Sequence, residues 1–138
     1  IITSETNEPP SLSTDFYVTE KGDVIPATGY RYMDSEYAEQ TFSTNSAPGS
    51  YFGFEKFDSA ADAQNAFQIA PKWNDCMMRG EFDTIQVIDD IYIPTTYGNT
   101  TNVPEPFAVS YSEYGEGGTY QMKVDEMLNF RDLQIIDK

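Results

Sequence analysis

The sequence predicts a mixed α+β domain of about six or seven short strands with two early helices. Aromatic residues make up 14% of the 138-residue chain, supplied mainly by 10 Tyr and 9 Phe, which favours sheet over helical bundle. Side chains alternate with period two in GYRYM, SYFGF and YQMKV, whereas helical spacing is confined to DSEYAEQTFST and SAADAQNAF. The length suits one domain with a modest core.

Residues 1–15 are polar, contain Pro9 and Pro10 and lack periodicity, so they read as a linker or disordered arm before a single domain over 16–138. In GDVIPATGYRYM an extended segment leads to a turn at Ala27 to Gly29 and then a strand. Tyr30 and Tyr32 share one face of it, Arg31 and Met33 the other. Asp34 or Ser35 caps a short helix with Tyr37, Ala38 and Phe42 as its stripe, ending before Ala47, Pro48 and Gly49. GSYFGFEKF, 49–57, alternates as a strand. Ser59 and Asp62 stand in capping-box spacing ahead of a second helix whose buried face is Ala60, Ala63 and Phe67. APKWNDCMMRGEF is expected to connect, DTIQVI and IYI to form strands on either side of Asp89 and Asp90, and YGNTTNVPEPF to loop. A glycine hinge at Gly115, Gly117 and Gly118 then leads into the strand YQMKV, with Tyr120, Met122 and Val124 on one face and Gln121 on the other. A turn around Asp125 to Asn129 precedes a closing strand, FRDLQII.

Charge and composition exclude several chemistries. There is no histidine, which removes His-dependent triads, HExxH zinc sites and the HxE deaminase signature together. The net charge of −15 opposes phosphate backbones and anionic lipid, so neither nucleic acid nor a stable membrane association is expected. No apolar run reaches the roughly 18 residues of a membrane span. Cys76 is the single cysteine, supplies no ligand cluster and reads as structural. Asp89 and Asp90 lack an EF-hand pattern and read as a turn. Carboxylates are too frequent for spacing alone to nominate a glycosidase pair.

What remains is an arginine on an aromatic strand, a flat aromatic segment, and a glutamine behind a glycine hinge. A strand-borne Arg needs an anion, either an internal carboxylate or a ligand. Aromatic alternation at SYFGF suits core or the packing of a flat heterocycle. Glycines let backbone turn sharply or approach a ligand.

GYRYM, then APGSYFGF, then G-x-G-G-x-x-Q resemble, in this chain order, the ADP-ribosyltransferase-like superfamily. The likeness is greatest to C-terminal toxin domains of bacterial polymorphic toxins, in particular NAD glycohydrolases of the tuberculosis-necrotizing-toxin type. QIAPKWND, 68–75, also looks like a segment recurring in such domains. The resemblance implies an ADP-ribosyltransferase-like fold with a split, short-stranded sheet and cleavage of the nicotinamide-ribose bond of NAD or NADP. NAD(P) is then substrate; no prosthetic group and no metal are expected. Arg31 would hold the pyrophosphate, and Ser50 with Tyr51 or Phe52 would shape the nicotinamide and ribose pocket. Gly117 and Gly118 would admit backbone to the dinucleotide, and Gln121 would orient the ribose or the attacking water. Glu113 and Glu116 flank the hinge as stabilisers of an oxocarbenium-like cation or as solvated loop acids.

Two departures matter. The hinge has one extra residue before Gln121, and SYF stands where many transferases have Ser-Thr-Ser. Target-modifying members usually carry a Glu where Thr119 stands, which points to hydrolysis ahead of ADP-ribosyl transfer. The resemblance further implies secretion within a larger effector, action in the cytoplasm of a target cell, and a cognate immunity protein as partner. The rival reading from charge alone is an acidic, immunity-type inhibitor of a basic partner.

Overall fold

The structure, a computed structural model, describes residues 2–3, 16–93, 106–108 and 112–138. The domain is mixed α+β, its strands gathered into three antiparallel sheets. β1 (Ile2–Thr3), β2 (Phe16–Val18) and β3 (Val24–Pro26) form a three-stranded sheet, so the first residues of the polar arm pair with Tyr17 and Val18. The main sheet has five strands: β4 (Thr28–Met33), β6 (Tyr51–Gly53), β7 (Met78–Asp83), β8 (Gln121–Lys123) and β10 (Asp132–Ile135), in the order β10-β7-β4-β6-β8. A two-stranded ribbon pairs β5 (Ser46–Pro48) with β9 (Met127–Asn129).

Both early helices are present. Asp34 caps a 3-10 turn, Ser35–Tyr37, by accepting from the Glu36 amide, and α1 (Ala38–Thr44) continues from it to a left-handed Asn45. Of the stripe expected on the first helix, Ala38 packs against the core, whereas Tyr37 and Phe42 are exposed and Thr41 is buried. α2 (Ala60–Phe67) follows the sequence closely. The Ser59 hydroxyl accepts from the Asp62 amide, and Ala60, Ala63 and Phe67 are buried.

Several expectations differ, among them the turn expected around Asp125 to Asn129, where β9 occupies Met127–Asn129 and pairs with β5. GSYFGFEKF is strand only over Tyr51–Gly53. MRGEFD, expected to connect, is β7, the strand lying between β10 and β4. The expected strand DTIQVI is instead a 3-10 helix over Thr84–Val87, capped by the Asp83 carboxylate, and IYI contributes one bridge, Tyr92 to Lys123. β7 was concealed by Arg79, Gly80 and Glu81, which break the apolar alternation. Gly80 is nevertheless where a strand residue without a side chain is needed, because a Cβ there would come within 2.5 Å of the Phe130 ring. Of the expected loop at 97–107, residues 97–105 lie outside the described residues.

The two faces of the main sheet bury different aromatic clusters. On one, Phe52 packs edge-on against Phe82 at 5.2 Å between centroids, and Phe82 against Phe130 at 6.2 Å. Met33, Met78, Met122, Val124 and Leu128 complete this core. Full burial of one such side chain contributes about 1.5–3 kcal/mol. On the other face α2 covers the sheet, with Tyr32, Phe57 and Phe67 at 5.8–6.2 Å. Among the described residues no helix is long and apolar enough to cross a membrane.

Candidate functional site

The three motif-bearing segments, more than ninety residues apart at their extremes, are neighbours in the fold. β4 carries Arg31, β6 follows Ser50 and contains Tyr51 and Phe52, and β8 begins at Gln121; the three lie side by side in that order.

Register decides which of these residues can meet. Tyr30 stands opposite Gly53, and Gly53 opposite Gln121, so Tyr30 and Gln121 share the α2 face. Arg31, adjacent to Tyr30, projects from the other face and stands opposite Gly80 on β7. Alternation along two strands thus puts Arg31 and Gln121 on opposite sides of one sheet.

Arg31 is half-buried among the apolar groups of its face. Its Nε donates to the Pro48 carbonyl at 3.1 Å, and among the described residues it has no ion-pair partner. Desolvation lowers its pKa to about 10. The guanidinium thereby holds the end of β5 just ahead of Gly49 and Ser50. Ser50 is half-buried, its carbonyl accepting from the Val124 amide at 3.2 Å. Phe52 is 1% exposed and belongs to the core, so of the two aromatic candidates Tyr51, at 43%, is the one with free ring surface. Packing on both sides of the strand makes this division.

Gln121 is buried, and its backbone N–H donates to the Pro106 carbonyl at 2.7 Å. Residues 106–108 run antiparallel to 119–121, with Phe107 bridged to Tyr120, which covers the outer edge of β8. The hinge before it is pressed onto the end of α2. A Cβ on Gly115 would lie 2.4 Å from the Asn65 carbonyl oxygen, and one on Gly117 would lie 2.1 Å from that of Ala108. The Gly117 and Gly118 amides donate to Asn65 and Ala108, and the Glu116 amide to the Asn65 side chain. Gln68, left-handed at the end of α2, donates through Nε2 to the Gly115 carbonyl at 3.2 Å. These amides are therefore engaged within the protein. Of the two glycines expected to admit a ligand, Gly118 alone has open space where a side chain would be.

The Gln121 face also carries residues that the motifs did not nominate. One row across all five strands reads Asp132, Glu81, Tyr30, Gly53, Gln121. Tyr30 donates its hydroxyl to Glu81 at 3.1 Å, and Arg131 pairs with the same carboxylate at 2.7 Å. Burial, then the Glu81 charge, raises the Tyr30 pKa. The adjacent row contains Tyr51 and Lys123 directly opposite each other, with Tyr92 beyond. Lys123 was legible as a same-face neighbour of Gln121 in YQMKV; Tyr92 was not, because its bridge is long-range.

Of the remaining candidates, Glu113 is exposed and Glu116 accepts weakly from Asn65 at 3.4 Å. Cys76 is a buried free thiol with its pKa pushed up to about 12 by burial, then by Asp75 and Asp34. Asp89 and Asp90 are exposed in a turn, and no cluster of metal-ligating side chains occurs among the described residues. No family model matches the chain, and no curated protein or solved structure matches it.

Proposed function

We propose that this domain is an NAD(P) glycohydrolase of the toxin type, with Gln121 as the residue that orients the ribose or the attacking water. The observation that supports this reading is the adjacency of β4, β6 and β8, which brings the three segments that resemble the superfamily's motifs in chain order onto neighbouring strands. Breaking the nicotinamide-ribose bond passes through an oxocarbenium-like cation, so the protein needs to hold the dinucleotide and set hydrogen bonds and negative charge around the ribose. A glutamine fixed on a strand whose outer edge is covered suits that task. The substrate would lie on the Gln121 face at its Tyr51 and Lys123 end, because α2 covers the sheet around Gln121, which is 5% exposed. Arg31 would act from the other side by fixing the Pro48 to Ser50 turn, rather than by touching phosphate as the resemblance implied.

The finer fold assignment, ADP-ribosyltransferase-like, is part of the same proposal. So are delivery within a larger effector, action in a target cell's cytoplasm, and a cognate immunity protein as partner. Incubating the purified chain with NAD and with NADP and identifying the products tests the reading. Nicotinamide plus free ADP-ribose means hydrolysis; ADP-ribose attached to a macromolecule means transfer. Failure to consume either dinucleotide at high protein concentration rejects hydrolysis; failure to label any macromolecule after cell extract is added rejects transfer as well.

A second reading, an acidic immunity-type inhibitor, is favoured by one observation: Arg31 and Gln121 do not share a face, so two of the three motifs need not form one pocket. The net charge of −15 would then meet a basic partner.

A further inference from the structure

Strand register lines up three side chains that no motif connects. Tyr51 on β6 pairs with Lys123 on β8, and Lys123 pairs in turn with Tyr92 through reciprocal backbone bonds of 2.9 Å. All three therefore project from one face, the face of Gln121, which precedes Lys123 by two residues on the same strand. Lys123 Nζ sits 5.4 Å from the centre of the Tyr51 ring. Tyr51 and Tyr92 are 43% and 41% exposed, although their rings flank a cation within a chain of net charge −15. The Tyr92 hydroxyl donates to Asp125 at 2.9 Å, which fixes the ring and places one carboxylate at the rim.

We propose that Tyr51, Lys123 and Tyr92 form a subsite for a mononucleotide unit: a heterocyclic base stacks on an exposed tyrosine ring and its phosphate pairs with Lys123. The spacing suits such a unit. Adjacent strands lie about 4.8 Å apart, so the two tyrosines are separated by two strand spacings with the ammonium between them. An aromatic surface beside one cation matches one base and one phosphate, whereas a polymer would meet the repulsion of a chain of net charge −15. The proposal rests on the reading of the Gln121 face as the substrate face, and it supplies that face with the phosphate contact that Arg31 does not offer there.

Binding of AMP, nicotinamide mononucleotide, adenosine and inorganic pyrophosphate to the full chain, followed by amide chemical shifts, tests it. All three side chains are at least partly exposed, so alanine variants are expected to keep the fold, which the same spectra check. The two nucleotides are expected to bind more tightly than adenosine or pyrophosphate, with shifts at β6, β8 and Tyr92. Lys123→Ala is expected to weaken AMP by roughly tenfold and leave adenosine unchanged, and the double variant Tyr51→Ala with Tyr92→Ala to weaken both by a similar factor. Equal binding of pyrophosphate and AMP, or AMP binding unaltered by Lys123→Ala, overturns the subsite. A chain that binds AMP in this manner yet leaves NAD and NADP intact keeps the subsite and rejects the hydrolase. A chain that cleaves NAD with unchanged KM in Tyr51→Ala and Lys123→Ala does the reverse.

Discussion

Arg31 and Gln121, the two residues that sequence motifs would pair in one catalytic cleft, stand on opposite faces of the same sheet. The register through Tyr30, Gly53 and Gln121 requires it. The consequence is a division of labour, with Arg31 anchoring a turn on one side and Gln121 presented on the other.

That division makes Arg31→Met an informative substitution. The variant loses the charge-assisted bond to the Pro48 carbonyl, worth about 1.5–3 kcal/mol. It also loses the cost of a desolvated guanidinium that has no carboxylate partner among the described residues. The two effects oppose, so stability in urea is expected to change by less than about 1 kcal/mol. A loss of more than about 3 kcal/mol would mean that an anion partners Arg31 in the folded protein.

The hinge glycines should respond unequally. Both have positive φ, 70° at Gly117 and 89° at Gly118, so alanine at either strains the backbone by about 1 kcal/mol or more. At Gly117 the new methyl would also meet the Ala108 carbonyl at 2.1 Å, while at Gly118 it meets nothing within 4 Å. Thermal melts are expected to rank the parent above Gly118→Ala, and Gly118→Ala well above Gly117→Ala. Equal losses would mean that the hinge does not press on residue 108.

Gly53 and Phe67 should be energetically coupled. A Cβ at position 53 would lie 2.6 Å from the tip of the Phe67 ring, which sits over Gly53. Gly53→Ala is expected to cost about 1–3 kcal/mol by overpacking. In a Phe67→Leu background the same change should cost less, because the shorter side chain vacates that space. Additive losses in a double-mutant cycle would contradict the contact.

Alkaline pH should destabilise the fold partly through Cys76. Its thiol ionises at about 12 when folded, against 9.0 for the unperturbed group, because burial disfavours the thiolate. Below pH 9 both states hold the proton and the full contribution is present. Between about 9 and 12 only the unfolded chain releases it, so stability falls as pH rises. Cys76→Ala is expected to flatten that limb of the urea-stability profile. Native Cys76 should also resist thiol reagents at pH 8 until the protein unfolds.

Local signals in the sequence located α2, whose Ser59 cap and Ala60, Ala63, Phe67 face appear as expected, and the alternation of β4 and β8. They failed at β7, where Gly80 and two charged residues interrupt the pattern: Gly80 leaves room for Phe130, a contact fifty residues away. They failed again at DTIQVI, where β-branched residues favour strand but Asp83 caps a 3-10 turn. The candidate site was legible residue by residue and not as an arrangement. Alternation placed Gln121 and Arg31 correctly on their own strands, yet only the pairing between strands reveals that their faces differ. Tyr92 joins Lys123 through a long-range bridge that spacing does not encode.

Nicotinamide release at saturating NAD, measured for the parent, Gln121→Ala and Arg31→Met after each is shown to be folded, tests the central claim most directly. If the substrate lies on the Gln121 face, the parent turns over, Gln121→Ala loses at least about a hundredfold in kcat, and Arg31→Met retains most of it. A silent parent, or a Gln121→Ala variant as active as the parent, would contradict the assignment.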